Sequence, residues 1–133
     1  MCAMSDRRPD CVYGILVKDD RVFLRWFGDE PGLPGGVFRP LAEDRKVELR
    51  AHLWDQLGIE ARAIWAQGAF AYRNPDESVE RFSGFYSVWE WEPEVPAGVG
   101  RWLTSDEVGA STLPASLRIL LLSVLATLAM KTT

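Results

Sequence analysis

The chain has 133 residues, enough for one domain with a sizeable core and no cross-links. Apolar residues make up 47% and charged residues 26%, an ordinary globular mix. A formal charge of −4 without a basic run argues against nucleic acid as a partner, although a local basic pocket for a nucleotide stays possible.

Residues 1–10, MCAMSDRRPD, lack the apolar core of a signal peptide and read as a tail. Cys2 and Cys11 are the only cysteines, and their spacing suggests neither a metal site nor a disulfide. The expectation is a cytoplasmic protein with two reduced thiols. One domain is expected over residues 11–130, with a short tail at 131–133.

Cys11 to Lys18 and Arg21 to Phe27 are rich in β-formers, and Asp19-Asp20 between them predicts a two-residue hairpin turn. Gly28 to Gly36 carries four glycines and two prolines and is expected to be loop. A helix follows and ends at Gly58. Ile59 to Trp65 and Ala69 to Arg73 read as short extended segments. Asn74-Pro75-Asp76-Glu77 is a turn that leads into a long strand from Val79 to Trp91. Glu92 to Gly100 reads as loop, and Arg101-Trp102-Leu103 as a short strand.

Thr104 with Glu107 three residues on predicts a capping box opening a short helix. Ser111-Thr112-Leu113-Pro114 opens a final helix, with Pro114 in its first turn. Its apolar run from Ile119 to Met130 is broken by Ser123 and Thr127 and is too short to span a bilayer. Ile119, Leu120, Leu121 and Leu122 point in all directions around that helix. The excess over one core face suggests a homodimer contact, with burial inside the same chain as the alternative.

The stretch from Gly32 to Glu60, GLPGGVFRPLAEDRKVELRAHLWDQLGIE, resembles the Nudix box of the MutT-like Nudix hydrolase superfamily. The family pattern is G-x5-E-x7-R-E-U-x-E-E-x-G-U, where U is aliphatic. Anchored on Gly58-Ile59, the chain keeps Glu43 as the first acid. It has Ala51 and His52 in place of Arg-Glu, and Asp55 and Gln56 in place of Glu-Glu. One extra residue lies between Gly36 and Glu43. The order hairpin, Gly-Pro loop, helix also matches the family, and the resemblance spans roughly Val12 to Leu125. It implies an α/β fold of Nudix type, an α/β/α sandwich with a mixed β-sheet between helices.

In the family, three carboxylates on one helix face and a loop carbonyl bind Mg²⁺, a hard ion that takes oxygen ligands. The ion polarises a diphosphate and helps generate the attacking hydroxide. His52, Asp55 and Gln56 carry one formal charge where the family has three. Imidazole suits transition metals better than Mg²⁺. The resemblance therefore implies Asp55, His52 and Glu48 as catalytic candidates, with Gly36 through its carbonyl, Asp55, His52, Glu48 and Gln56 as metal ligands. The cofactor would be Mg²⁺, or Mn²⁺ in preference, if the protein is active.

At about 100° per residue, Asp44, Glu48, His52 and Asp55 share one stripe, with Gln56 at its edge. The alternative is that Asp44 complements the helix dipole and Glu48 is merely solvated. Leu49, Leu53 and Leu57 flank the stripe on one side. Val47, Ala51 and Trp54 flank it on the other, so a helix buried on both sides is expected, with Trp54 packed on the sheet. Arg50 is placed to compensate for the missing arginine by reaching Glu43.

The resemblance permits Tyr72, Arg73 and Trp102 as nucleoside contacts; core packing for Trp102 and a surface ion pair for Arg73 are the alternatives. A further acid is expected from Glu77, Glu80, Glu92 or Glu94. The function implied is hydrolysis of nucleoside diphosphate derivatives, weak, altered or lost. The alternative is a non-catalytic nucleotide- or protein-binding module. The expected partner is a small nucleotide-type ligand, with no nucleic acid and no membrane.

Overall fold

The computed structural model describes residues 10–38 and 44–132. Strand β1 (Cys11–Lys18) lies at the centre of a mixed sheet. It turns through Asp19 and Asp20, both at positive φ, into β2 (Arg21–Phe27). Two positive φ values match the turn whose twist suits a tight hairpin, as the sequence predicts.

The Gly-Pro stretch is not all loop. Its ends form β3 (Glu30–Gly32), antiparallel to β2, and β4 (Gly35–Val37), antiparallel to the start of β1. Glycine-rich sequence hides strand pairing because it has few side chains to show an alternation. Gly35 has φ 141°, and a Cβ there would lie 2.2 Å from the Val12 carbonyl oxygen. Only glycine lets β4 approach β1 so closely.

Helix α1 (Arg45–Leu57) follows. Asp44 is its N-cap and accepts from the backbone N–H of Lys46 and Val47. Capping, rather than an extended acidic surface, is therefore its role. Gly58 closes the helix in the left-handed conformation, φ 67°, and donates to the Trp54 carbonyl.

The two extended segments expected after Gly58 are one strand, β5 (Glu60–Tyr72), with a register shift between Ala66 and Gly68. A bulge there reads in sequence as a break. Strand β6 (Arg81–Glu92) pairs antiparallel with β5 and parallel with β1, which makes the sheet mixed. Strand β7 (Gly100–Leu103) pairs with β2. Helix α2 (Ser105–Gly109) opens with the expected Thr104–Glu107 capping box. Helix α3 (Ala115–Thr132) starts just after Pro114.

β1 explains how the layers assemble. Its residues are buried on both faces from Cys11 to Val17, hence the unbroken apolar run. Cys11, Tyr13, Ile15 and Val17 join the core beneath α3, with Leu117, Leu121 and Val124. Val12 and Leu16 join Leu49, Leu53 and Leu57 beneath α1. The sheet is thus sandwiched between helices, as expected. Leu121 is fully buried and Leu120 and Leu122 are partly buried within the chain, while Ile119 is exposed. Among the described residues no helix is long and apolar enough to cross a membrane.

Two expectations about α1 need correction. The helix is buried along one side only, and Val47 and Trp54 are 58% and 59% exposed. Leu49 and Leu53 lean on Gly14 of β1 and, with Leu57, use up the face the sheet offers. Among the described residues nothing covers the opposite flank, where Ala51 is exposed too. Glu48, conversely, is not solvated: it is only 4% exposed.

Candidate functional site

The Gly-Pro loop and the inner polar edge of α1 face each other. Glu48, His52 and Gln56 stand one turn apart on that edge, while Asp55 is exposed to solvent. Four-residue spacing places side chains one above another on a helix.

Gln56 is fully engaged. Its Oε1 accepts from the Gly35 backbone N–H at 3.0 Å and from Arg25 Nη1 at 2.9 Å. Its Nε2 donates to the Gly35 carbonyl at 2.8 Å. Two donors converge on one end of the amide and a carbonyl meets the other, which fixes its orientation. The loop carbonyl met by this side chain belongs to Gly35, one residue before the Gly36 that the resemblance implies.

His52 sits over Gly36, where an added Cβ would lie 3.1 Å from its ring. Its Nε2 is 2.9 Å from the Val37 carbonyl oxygen and 3.7 Å from Glu48 Oε2. A carbonyl can only accept, so this contact requires the proton on Nε2. That nitrogen then has no lone pair to give a metal, and Nδ1 is the ring atom that keeps one. Glu43, the first acid of the motif and the expected partner of Arg50, lies outside the described residues.

Among the described residues, no three His, Cys, Asp or Glu side chains stand together as metal ligands. The hard-cation chemistry implied by the resemblance asks for several convergent oxygens. Here Gln56 offers an amide bonded at both ends, His52 an imidazole whose Nε2–H is turned to a carbonyl, and Asp55 a carboxylate facing solvent. Among the described residues this leaves Glu48 as the one buried carboxylate on this edge. This described donor set does not fit such an ion.

The remaining candidates are scattered. Tyr72 is buried beneath α3, edge-on to Tyr13 and Phe85, and its hydroxyl donates to Asn74 Oδ1 at 2.8 Å. Burial, assisted by the Asp76 carboxylate, pushes its phenol well above the ordinary value. Arg73 pairs with Glu30 at 3.7 Å at the surface. Both border a cavity of about 290 Å³ with Pro31, Leu113 and Pro114.

Trp102 packs in the other core, stacked on Trp91 at 5.8 Å and tilted against Phe23. It borders a separate cavity of about 240 Å³ with Lys18 and Arg21. The three residues therefore do not share one pocket. Of the acids considered for completing the site, Glu77 pairs with Arg81, Glu92 with Arg62 and Glu94 with Lys18. Glu80 is exposed.

Two residues escaped sequence reasoning. Arg25 is a lone charge in the apolar run VFLRWF, which signals a partner; it reaches Gln56 and lies 4.8 Å over the Phe27 ring. Asn74 was legible only as a turn residue. It is 1% exposed and bonds both backbone groups of Leu33.

No sequence-family model matches the chain, and no curated protein is similar enough in sequence to match. Solved structures do match. The solution structure of the E. coli ORF135 protein aligns with 96% of this chain and 95% of that one, at 19% identity and a TM-score of 0.65. A MutT NUDIX hydrolase from Burkholderia pseudomallei aligns with 87% of this chain and 97% of its own, at 17% identity and a TM-score of 0.70. A mutator MutT protein from Bacillus halodurans aligns with 89% and 82%, at 21% identity and a TM-score of 0.70. At these identities the likeness establishes the fold: the chain has the fold of the MutT/Nudix hydrolases.

Proposed function

Starting from the MutT/Nudix fold, we propose that the chain is a Nudix-superfamily protein whose hydrolysis of nucleoside diphosphate derivatives is weak, altered or lost. The observation that carries this reading is the pair of bonds between Gln56 and Gly35. Where the family motif places a carboxylate beside a loop carbonyl, this chain places an amide that donates to the loop. A carboxylate leaves that carbonyl's lone pairs open to a cation, whereas an N–H donor occupies one. Among active members with this fold, divalent-metal dependence is the rule that the resemblance implies. Asp55, His52 and Glu48 remain the candidates for residual chemistry, with Mg²⁺ or Mn²⁺ as the ion to supply.

A non-catalytic binding module is the second reading, and the outer flank of α1 favours it. Val47, Ala51 and Trp54 leave an apolar strip in solvent, the kind of surface that recognition modules present. Of the proposed ligand contacts, Tyr72 and Arg73 border one cavity and Trp102 another, so one ligand in either reading would meet one group or the other. The cytoplasm is the proposed compartment, and a small nucleotide-type ligand or a second copy of the chain the proposed partner.

A hydrolysis screen of the purified protein against nucleoside diphosphate derivatives, with Mg²⁺ and with Mn²⁺, tests the first reading. Turnover should be slight, and where present should be greater with Mn²⁺, a better match for imidazole. Rapid Mg²⁺-dependent turnover would overturn it.

A further inference from the structure

The loop bearing the Leu-Pro-Gly-Gly segment is held from two remote places by the same chemical device. Asn74, in the connection between β5 and β6, accepts from the Leu33 N–H at 2.9 Å and donates to the Leu33 carbonyl at 3.3 Å. Two residues along the loop, Gln56 does the same at Gly35, at 3.0 and 2.8 Å. Between them the Pro34 carbonyl accepts from the Gly14 N–H of β1 at 2.9 Å. Each amide thus meets one residue's backbone as a neighbouring β-strand would, with one donor and one acceptor.

Asn74 is itself held. Tyr72 donates to its Oδ1, and its own Nδ2 also donates to Asp76 Oδ1 at 2.7 Å. Gln56 is anchored by Arg25. Both clamps therefore have side chains behind them that fix their rotamers.

We propose that these two amides form a cation-independent clamp on the loop, with the Gln56 Nε2–H group bonded to the Gly35 carbonyl, next to the Gly36 carbonyl that the resemblance implies for a divalent ion. Asn74 and Gln56 are positioning residues: they act through the loop backbone. The proposal deepens the functional reading above, since it rests on Gln56 bonding the loop rather than ligating an ion. It also makes a claim of its own, that the closed loop is stable without metal. An amide N–H is neutral and permanently present, so the clamp does not follow metal supply.

The test is thermal unfolding of the full chain in EDTA and in excess Mg²⁺ or Mn²⁺. Wild type should melt at the same temperature in all three. Gln56→Glu removes the donor and sets a carboxylate against the Gly35 carbonyl, so it should melt lower in EDTA and recover with either ion. Its Mg²⁺ affinity should rise at least about tenfold over wild type, or roughly 1.4 kcal/mol. Asn74→Ala removes both bonds to Leu33 without adding a carboxylate, and should melt lower in every buffer.

A wild-type melting temperature that climbs with Mg²⁺, or a Gln56→Glu variant indifferent to metal, overturns the clamp. If that variant fails to fold, hydrogen exchange of the Leu33 and Gly35 amides in wild type decides. Both should be protected in EDTA, and fast exchange there overturns the proposal. Failure of the functional reading is separately visible: wild type would then hydrolyse substrate rapidly with Mg²⁺, whatever its melting temperature does.

Discussion

A side-chain amide and a carboxylate differ by one donating group, and at residue 56 that difference decides what the loop carbonyl meets. The same reasoning makes Asn74 costly to lose. Asn74→Ala leaves a buried Leu33 N–H and the Tyr72 hydroxyl without the partner they now have. Stranding a buried polar group costs about 1–3 kcal/mol. Urea unfolding of Asn74→Ala should therefore show a loss of at least about 2 kcal/mol, more than a surface Asn substitution would give. His52 shows how little residue type says without geometry. Its place at a metal position of the motif suggests metal binding, yet the carbonyl of Val37 faces its Nε2 and requires a proton there. Neither Gln56 nor Asn74 is legible as a clamp in sequence, because what each bonds lies 21 and 41 residues away.

At the level of elements, α1 was largely legible and its orientation was not. The cap at Asp44, the stop at Gly58 and the Leu49-Leu53-Leu57 row all follow from local pattern. Which of two apolar flanks would be buried depended on the width of the sheet surface, and that is a tertiary property. The consequence is a contrast between neighbours. Leu53→Ala should cost about 2–5 kcal/mol in chemical denaturation, as for other core leucines. Trp54→Ala, beside it in sequence but 59% exposed, should change stability by no more than about 0.5 kcal/mol. A large loss at Trp54 would mean that something covers this flank in solution. The short strands β3 and β4 and the continuous β5 were missed for a related reason. Glycine stretches and a bulge break the alternation by which strands are recognised.

Helix α2 carries the clearest pH signature among its elements. The Thr104 backbone N–H donates to Glu107 at 2.8 Å, and this bond holds the Glu107 carboxyl below its ordinary value, aided by the Thr104 side chain. A depressed folded-state pKa means the box contributes above the unfolded carboxylate pKa and loses that contribution as pH falls through the folded one. Wild type and Glu107→Gln should thus unfold at different temperatures at neutral pH and converge in acid. A gap that widens on acidification would contradict the sign.

For the whole molecule, the hairpin, the sandwich and the order of its helices were readable because β1 and α1 carry strong patterns. The site was readable only as a frame, since its chemistry depends on which backbone atoms the side chains meet. Solved structures with at most 21% identity share the fold. The central claim is that the helix lacks the acids on which metal-dependent hydrolysis would rest, and bonds the loop through an amide where the motif has a carboxylate. Ala51→Arg, His52→Glu, Asp55→Glu and Gln56→Glu together restore the motif along α1. The most direct measurement compares hydrolysis of nucleoside diphosphate derivatives by this variant and by wild type, with Mg²⁺. The variant should gain at least about tenfold, equivalent to roughly 1.4 kcal/mol in the barrier. A folded variant that binds Mg²⁺ but is no faster than wild type on any compound of the panel would contradict the claim.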